Sequence, residues 1–403
     1  MARITCFTLP VAGHVTPLVP VVAALARQGH AVRVVADGVL GSRFADVGAA
    51  VASYPEDDAA LLRAPSPNFL EVAGVLATRT ERTLLAAAIE ELQRQPADVV
   101  VVDSMAPWGR LAAELLGLPA VTSCSSFVIT PRLGATRQGT VDVLRRLPQG
   151  VGGLAAIGRA RAALRHRFGV DCGGPMRLLA NRTATTIVHT SRAFHPPLGR
   201  LGQQVQFVGA TAAGERNDVP VDPAGALGEA LDAADAGAPL VYVALGTIYN
   251  RRPAFLRACA EALADGDRRV VISVASAQLR EEIGPLPDSV VAAVMPPQLA
   301  ILDRAQLFVS HGGLNSVHEA LWRGVPMILY PQAADQPVVA ARAARLGAGV
   351  VLGARNPDAA SVRAAAATLL AGAAAERATA LGQGLRDGGG AERAAAIILA
   401  ACA

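Results

Sequence analysis

The chain of 403 residues contains no lysine, so all 37 of its Lys+Arg positions are arginine. That absence excludes a Schiff-base lysine, a pyridoxal-phosphate anchor and the lysine of a Walker-type phosphate loop. Paired cysteines are missing too. Cys6, Cys124, Cys172, Cys259 and Cys402 are scattered, with no Cys-x-x-Cys or Cys-x-His spacing. This argues against structural zinc and for a reducing compartment. The net charge of +4 is modest and forms no basic tail, so a nucleic-acid partner is not expected. No run of 18 uninterrupted apolar residues occurs, and MARITCFTLP lacks a basic region followed by a long apolar segment. The expectation is a soluble, cytoplasmic protein. What the chain does have is apolar material: 52% hydrophobic residues over this length bury a large core and favour two domains over one.

Residues 291–336 carry the densest chemistry. An apolar run ending in Leu307-Phe308-Val309 reads as a buried strand. It passes into Ser310-His311-Gly312-Gly313-Leu314-Asn315-Ser316, and Val317–Leu321 then has helical spacing. A strand, a glycine-rich turn and a helix start present backbone N–H groups and a positive helix end to an anion. His311, Asn315 and Ser316 add side-chain donors for phosphate oxygens. A second strand, Val325–Leu329, delivers Pro331-Gln332-Ala333-Ala334-Asp335-Gln336 to the same sheet edge, where open α/β sheets bind ligands. A phosphate cradle, Glu319 for a diol and Asp335-Gln336 for further hydroxyls outline a nucleotide-sugar site.

The N-terminal half opens as a βαβ unit. Ile4–Leu9 reads as a strand, Leu18–Gln28 as a helix and Ala31–Ala36 as the next strand, with no G-x-G-x-x-G in the first turn. That argues against NAD or FAD there, and Gly347–Gly349 precedes a strand instead of following one. His14 sits at the tip of the first β–α turn. On residues alone it either packs at the helix start or acts as a base, a task that suits a neutral imidazole. Asp103 ends the strand Val99–Val102 and emerges on the edge that carries His14. It either caps the helix starting near Trp108 or orients the imidazole.

The ordered segments PPQLAIL, SHGGLNSVHEAL and GVPMILYPQAADQ resemble the donor-binding signature of family 1 glycosyltransferases, the UDP-glycosyltransferase superfamily. The bacterial macrolide-glycosyltransferase-like branch is the nearest in pattern, and the resemblance extends to Gly13-His14-Val15-Thr16-Pro17 at the N-terminus. It implies an α/β GT-B fold: two Rossmann-like parallel-sheet domains facing across a cleft. The expected division is an acceptor domain at 1–208, a linker at 209–238 and a nucleotide-sugar domain at 239–385. A C-terminal helix at 386–403 would pack back toward the first domain. The resemblance makes His14 the general base and Asp103 its partner. Donor contacts fall on Thr247, Met295, Pro296, Gln298, His311, Gly313, Asn315, Ser316, Glu319, Asp335 and Gln336.

The sequence departs from the family at Met295-Pro296, where many relatives carry Trp followed by Val or Ala. Methionine packs on a pyrimidine with less directional contact than an indole, and proline offers no N–H. UDP stays ahead of dTDP as the expected nucleotide. Asp335-Gln336 resembles the glucose-transferring branch, so UDP-glucose is the favoured donor and a dTDP-sugar the alternative. His311 stands where retaining GT-B members tend to carry glutamate, which implies inversion. His311, Ser316 and the helix end would stabilise the leaving diphosphate, so neither a tightly bound cofactor nor an Asp-x-Asp metal site is required.

Residues 55–80 and 125–180 read as less regular, and family insertions in this region line the acceptor pocket. On that resemblance Phe69, Met105, Trp108, Phe127 and Met176 face a lipophilic small molecule such as a macrolide, polyketide or phenol. The arginine-rich segment 159–167 reads as a solvated helix face in preference to a membrane-docking one. A monomer or homodimer is expected. Two further readings remain on the same scaffold: a UDP-sugar 2-epimerase and a non-catalytic nucleotide-sugar-binding relative.

Overall fold

The structure, a computed structural model, describes every residue except 37, 56–67, 131–136, 200, 201, 203, 215–224, 247–249, 354–356 and 403, and except the side chains of 39 and 137–149. It separates into two compact units, Met1–Ala212 with Asp387–Ala403, and Ala213–Arg386.

The first unit is built on seven parallel strands: β1 (Arg3–Phe7), β2 (Ala31–Val35), β3 (Ala50–Ala52), β4 (Val99–Asp103), β5 (Ala120–Cys124), β6 (Thr185–Val188) and β7 (Val205–Phe207). Their spatial order is β3-β2-β1-β4-β5-β6-β7. Val99–Val102 are all buried, as a strand covered on both faces requires, and this explains why β4 reads as an unbroken valine run. Helices Ala12–Arg27 and Gly390–Ala400 pack together on one face, where Val15, Val22, Ala394 and Ile398 share a core. Helices Leu85–Arg94 and Pro107–Leu116 bury Leu85, Leu92, Leu111 and Ala112 on the other.

Two stretches expected to be irregular are helical. Phe69–Arg79 forms one helix and Arg137–Phe168 another of 32 residues. They cross at glycines: a Cβ on Gly74 would lie 2.8 Å from the Cα of Gly153. Glycine permits this approach, yet it also weakens helical periodicity in the sequence. Arg161 pairs with Asp171 at 2.8 Å and Arg167 with Glu81 at 2.9 Å, so acidic partners already neutralise much of the basic segment.

The second unit carries six parallel strands in the order β10-β9-β8-β11-β12-β13. They are β8 (Leu240–Ala244), β9 (Arg269–Val274), β10 (Val290–Val294), β11 (Ala305–Ser310), β12 (Met327–Leu329) and β13 (Gly349–Val351). Helix Ala226–Asp235 lies within the interval expected as linker. It buries Ala230 and Leu231 and contacts β8, β9 and β10, so it belongs to this unit. Its alanine-rich stripe is too weakly apolar to announce a helix from sequence. The chain crosses between units at Ala212/Ala213 and again at Arg386/Asp387.

Because both sheets are wholly parallel, each collects its strand carboxyl ends on a single edge. In the first unit that edge receives His14, Asp103 and the residues after β5. In the second it receives Gly246, Met295, His311 and the loop 331–336. Among the described residues, no helix is long and apolar enough to cross a membrane.

Candidate functional site

In the first unit the helix Ala12–Arg27 starts directly after β1 and sets His14 on its first turn. Strand β4 runs beside β1, with Phe7 opposite Val102, and ends on Asp103. The two side chains meet: His14 Nδ1 lies 3.0 Å from Asp103 Oδ1 and 2.9 Å from Oδ2. Facing a carboxylate, Nδ1 carries the proton, which leaves Nε2 as the basic nitrogen. The His14 side chain is 17% exposed and that of Asp103 4%, so the imidazole reaches solvent while its partner is enclosed.

The carboxylate is held from several sides. Asp103 Oδ1 accepts from the Met105 N–H at 2.7 Å, and the Asp103 carbonyl accepts from Asn181 Nδ2 at 2.8 Å. Asn181 is itself fixed by the buried Arg110, whose Nε donates to Asn181 Oδ1 at 2.8 Å. Its backbone takes φ 27°, a strained left-handed value tolerated best by asparagine and glycine. Ser125 Oγ stands 3.0 Å from His14 Nδ1 and shares that nitrogen with the carboxylate. Ser125, Asn181 and Arg110 carry no local signal in the sequence, because their contacts arise only from β4–β5 pairing and a left-handed turn.

In the second unit the cradle forms around His311, which follows β11. Gly246, just after β8, has φ 77°, and a Cβ there would come within 2.7 Å of the imidazole Cε1. A Cβ on Gly313 would collide with Nε2 of the same ring. The two glycines therefore exist to let the imidazole lie between them. Burial pushes the pKa of His311 down to about 4, while Asp335 and the Ala244 carbonyl act weakly in the opposite direction. The ring is neutral at pH 7, and its buried Nδ1 makes no hydrogen bond of ordinary geometry among the described residues. Helix Leu314–Trp322 begins at Gly313 with no side-chain cap and no acidic residue in its first turn, which suits a helix end aimed at an anion. Asn315 and Ser316 are half-buried on that turn.

Glu319, expected to hold a diol, lies deep in the second unit. It is 1% exposed, and its carboxylate accepts from Gln298 Nε2, which also reaches Ser316 Oγ at 3.2 Å. Helical spacing puts Glu319 one turn after Asn315 and Ser316 and so deeper in the unit. Gln336, expected to meet a sugar hydroxyl, is buried. Its Oε1 accepts from the backbone N–H groups of Gln332 at 2.9 Å and Ala333 at 3.1 Å, so the oxygen pins its own loop. Asp335 is half-buried at the start of helix Gln336–Arg345. Met295 is 55% exposed and held at φ 47°, a strained value for a methionine of the kind that collects at binding sites. Pro296 beside it is half-buried. Thr247 lies outside the described residues.

Two of the five acceptor candidates are core. Trp108 has no exposed surface; Tyr54 packs edge-on against it at 5.7 Å and accepts its indole N–H at 3.3 Å. Phe127 is 3% exposed and packs on Phe194 and His195. Both rings contribute the large buried area that aromatic side chains bring to a core. Phe69 and Met176 are exposed and Met105 is half-buried. Asp265 and Asp267 do have Asp-x-Asp spacing, but they sit exposed in the turn before β9, at the amino end of the strands. Among the described residues no three His, Cys, Asp or Glu side chains cluster as metal ligands do.

Residues 257–396 match the family described as Erythromycin biosynthesis protein CIII-like, C-terminal domain. The oleandomycin glycosyltransferase of Streptomyces antibioticus is 30% identical over 83% of this chain and 75% of its own length. An uncharacterised UDP-glucosyltransferase of Bacillus subtilis, YojK, is 28% identical over 77% of this chain and 75% of its own. The solved structure of the glycosyltransferase of kitacinnamycin superimposes with a TM-score of 0.81 at 26% identity, covering 99% of both chains.

Proposed function

The chain belongs to the family 1 glycosyltransferases of GT-B fold, and from that premise we propose that it transfers glucose from UDP-glucose to a hydroxyl of a small lipophilic natural product, with inversion. The observation that carries this reading is the His14–Asp103 pair on one sheet edge, together with the glycine-flanked cradle and Asp335 on the other.

In this reading the acceptor oxygen attacks the anomeric carbon as the bond to the diphosphate oxygen breaks. His14 Nε2 takes the hydroxyl proton, and Asp103 stabilises the imidazolium that forms. The departing negative charge falls on the first turn of helix Leu314–Trp322, with a neutral His311 as a neighbouring donor. Asp335 accepts from a sugar hydroxyl, and the Gln336 amide NH₂ donates to another, since its oxygen is already engaged by the loop. A deoxygenated sugar would leave such groups unpaired, at roughly 1–3 kcal/mol each.

A dTDP-sugar donor is the second reading, favoured by the exposed, strained Met295 followed by Pro296 in place of an indole. The test is a donor screen: UDP-glucose, UDP-galactose, UDP-GlcNAc and dTDP-glucose against phenols and macrolides, read by mass. A hexose adduct from UDP-glucose supports the proposal. Adducts from dTDP-sugars alone replace the nucleotide. Free UDP and an epimerised sugar without acceptor would replace transfer by epimerisation.

A further inference from the structure

Two prolines lie inside the helix that carries His14. Pro17 and Pro20 lie inside Ala12–Arg27, and lacking N–H groups they cannot bond back to the carbonyls of Gly13 and Thr16. The helix start also has no side-chain cap from Val11. Its first two turns also receive hydrogen bonds from elsewhere in the unit. Arg43 Nη1 donates to Thr16 Oγ1 at 3.0 Å, and Thr211 Oγ1 donates to the Pro17 carbonyl at 2.6 Å.

Thr211 Oγ1 also lies 3.1 Å from His189 Nδ1, and His189 Nε2 lies 2.8 Å from Ser123 Oγ. Counting protons orients the whole chain. The Pro17 carbonyl only accepts, so the single proton of Thr211 goes there. Thr211 must then accept from His189 Nδ1–H. Burial lowers the pKa of His189 to about 4, so the ring is neutral at pH 7 and its bare Nε2 accepts from the Ser123 hydroxyl. The relay runs Ser123 to His189 to Thr211 to Pro17 with every proton assigned.

Its two ends bear on the catalytic pair. Ser123 stands directly opposite Asp103 in the β4–β5 register, and Pro17 lies three residues after His14 on the same helix. Thr211 itself sits just before the chain leaves the first unit at Ala212. We propose that Ser123, His189 and Thr211 are positioning residues: the relay sets the distance between the β4 edge and the proline-containing helix so that His14 meets Asp103. The kinetic half of its test rests on the glycosyl-transfer reading; the spectroscopic half does not.

Thr211→Val removes the hydroxyl at nearly constant volume, and Thr211→Ser retains it. With saturating donor, Thr211→Val lowers kcat roughly tenfold on an alcohol acceptor, as expected for a base moved out of line. It leaves nucleotide affinity and turnover of an acidic, already ionised phenol unchanged, while Thr211→Ser keeps wild-type rates on both. In ¹⁵N-histidine-labelled protein, NMR shows His189 as the Nδ1–H tautomer from pH 5 to 8. The titration of His14 shifts in Thr211→Val but not in Thr211→Ser. Equal losses on alcohol and phenol, identical behaviour of the two variants, an Nε2–H tautomer, or an unmoved His14 titration each overturns the proposal. A wild-type protein that transfers no sugar defeats the functional reading alone, and the NMR then decides the relay.

Discussion

Asp103 Oδ2 lies 2.9 Å from His14 Nδ1, although 89 positions separate the two residues in the chain. Strand β4 pairs directly with β1, so the end of one strand and the helix after the other meet at one point. The contact selects the imidazole tautomer, and the Met105 N–H on Asp103 Oδ1 keeps the carboxylate from rotating away.

Replacing His14 isolates its contribution. His14→Ala lowers kcat on an alcohol acceptor by about 10²–10⁴ while UDP affinity stays at the wild-type value. Steady-state rates and calorimetric titration with UDP check both halves. Undiminished turnover of an alcohol would sink the general-base role; an ionised phenol is no test, since it needs no base.

The partner residues grade by how much of the imidazole they hold. Asp103→Asn keeps the shape but supports the wrong tautomer, and kcat falls by about 10²–10⁴. Ser125→Ala removes a single neutral contact at 3.0 Å and costs roughly two- to tenfold, the worth of about 0.5–1.5 kcal/mol. An equal loss in both variants would mean that the serine does more than share Nδ1.

In the second unit the glycines around His311 have no spare room. Gly246→Ala adds a Cβ within 2.7 Å of the imidazole at a backbone φ of 77°, and Gly313→Ala crowds Nε2 of the same ring. Overpacking of this kind costs about 1–3 kcal/mol of stability, and the displaced imidazole is expected to weaken binding of the proposed nucleotide by roughly tenfold in each variant. Calorimetry that returns wild-type affinity for both would separate His311 from nucleotide binding.

Two desolvated histidines make stability depend on acid. Burial lowers both His189 and His311 to about 4, below the unfolded value near 6.5. Between those limits the unfolded chain binds more protons than the folded one, so stability falls as pH drops from about 6.5 to about 4 and is unaffected by these groups above that window. Melting temperatures across pH 4–8 show the slope, and His189→Gln and His311→Asn each make it shallower. Identical slopes in wild type and both variants would rule out this origin.

The sequence alone determined the strand–turn–helix pattern after β1 and β11, since unbroken apolar runs and the glycines that follow them admit little else. It also determined the family, because the motif from Pro296 to Gln336 is long and ordered. Local chemistry marked His14, Asp103, His311 and Asp335, each of which stands at a strand's carboxyl end. Tertiary structure decided the rest. Only strand order brings Ser125 to His14 and Ser123 opposite Asp103, and a one-dimensional pattern carries no neighbour across a sheet. Burial depth sent Trp108 and Phe127 into the core and drew Glu319 onto Gln298, and depth is set by what packs from other elements. Helices Phe69–Arg79 and Ala226–Asp235, and the part of Arg137–Phe168 before the arginine-rich segment, leave little trace in the sequence because glycine and alanine contribute close packing without apolar contrast.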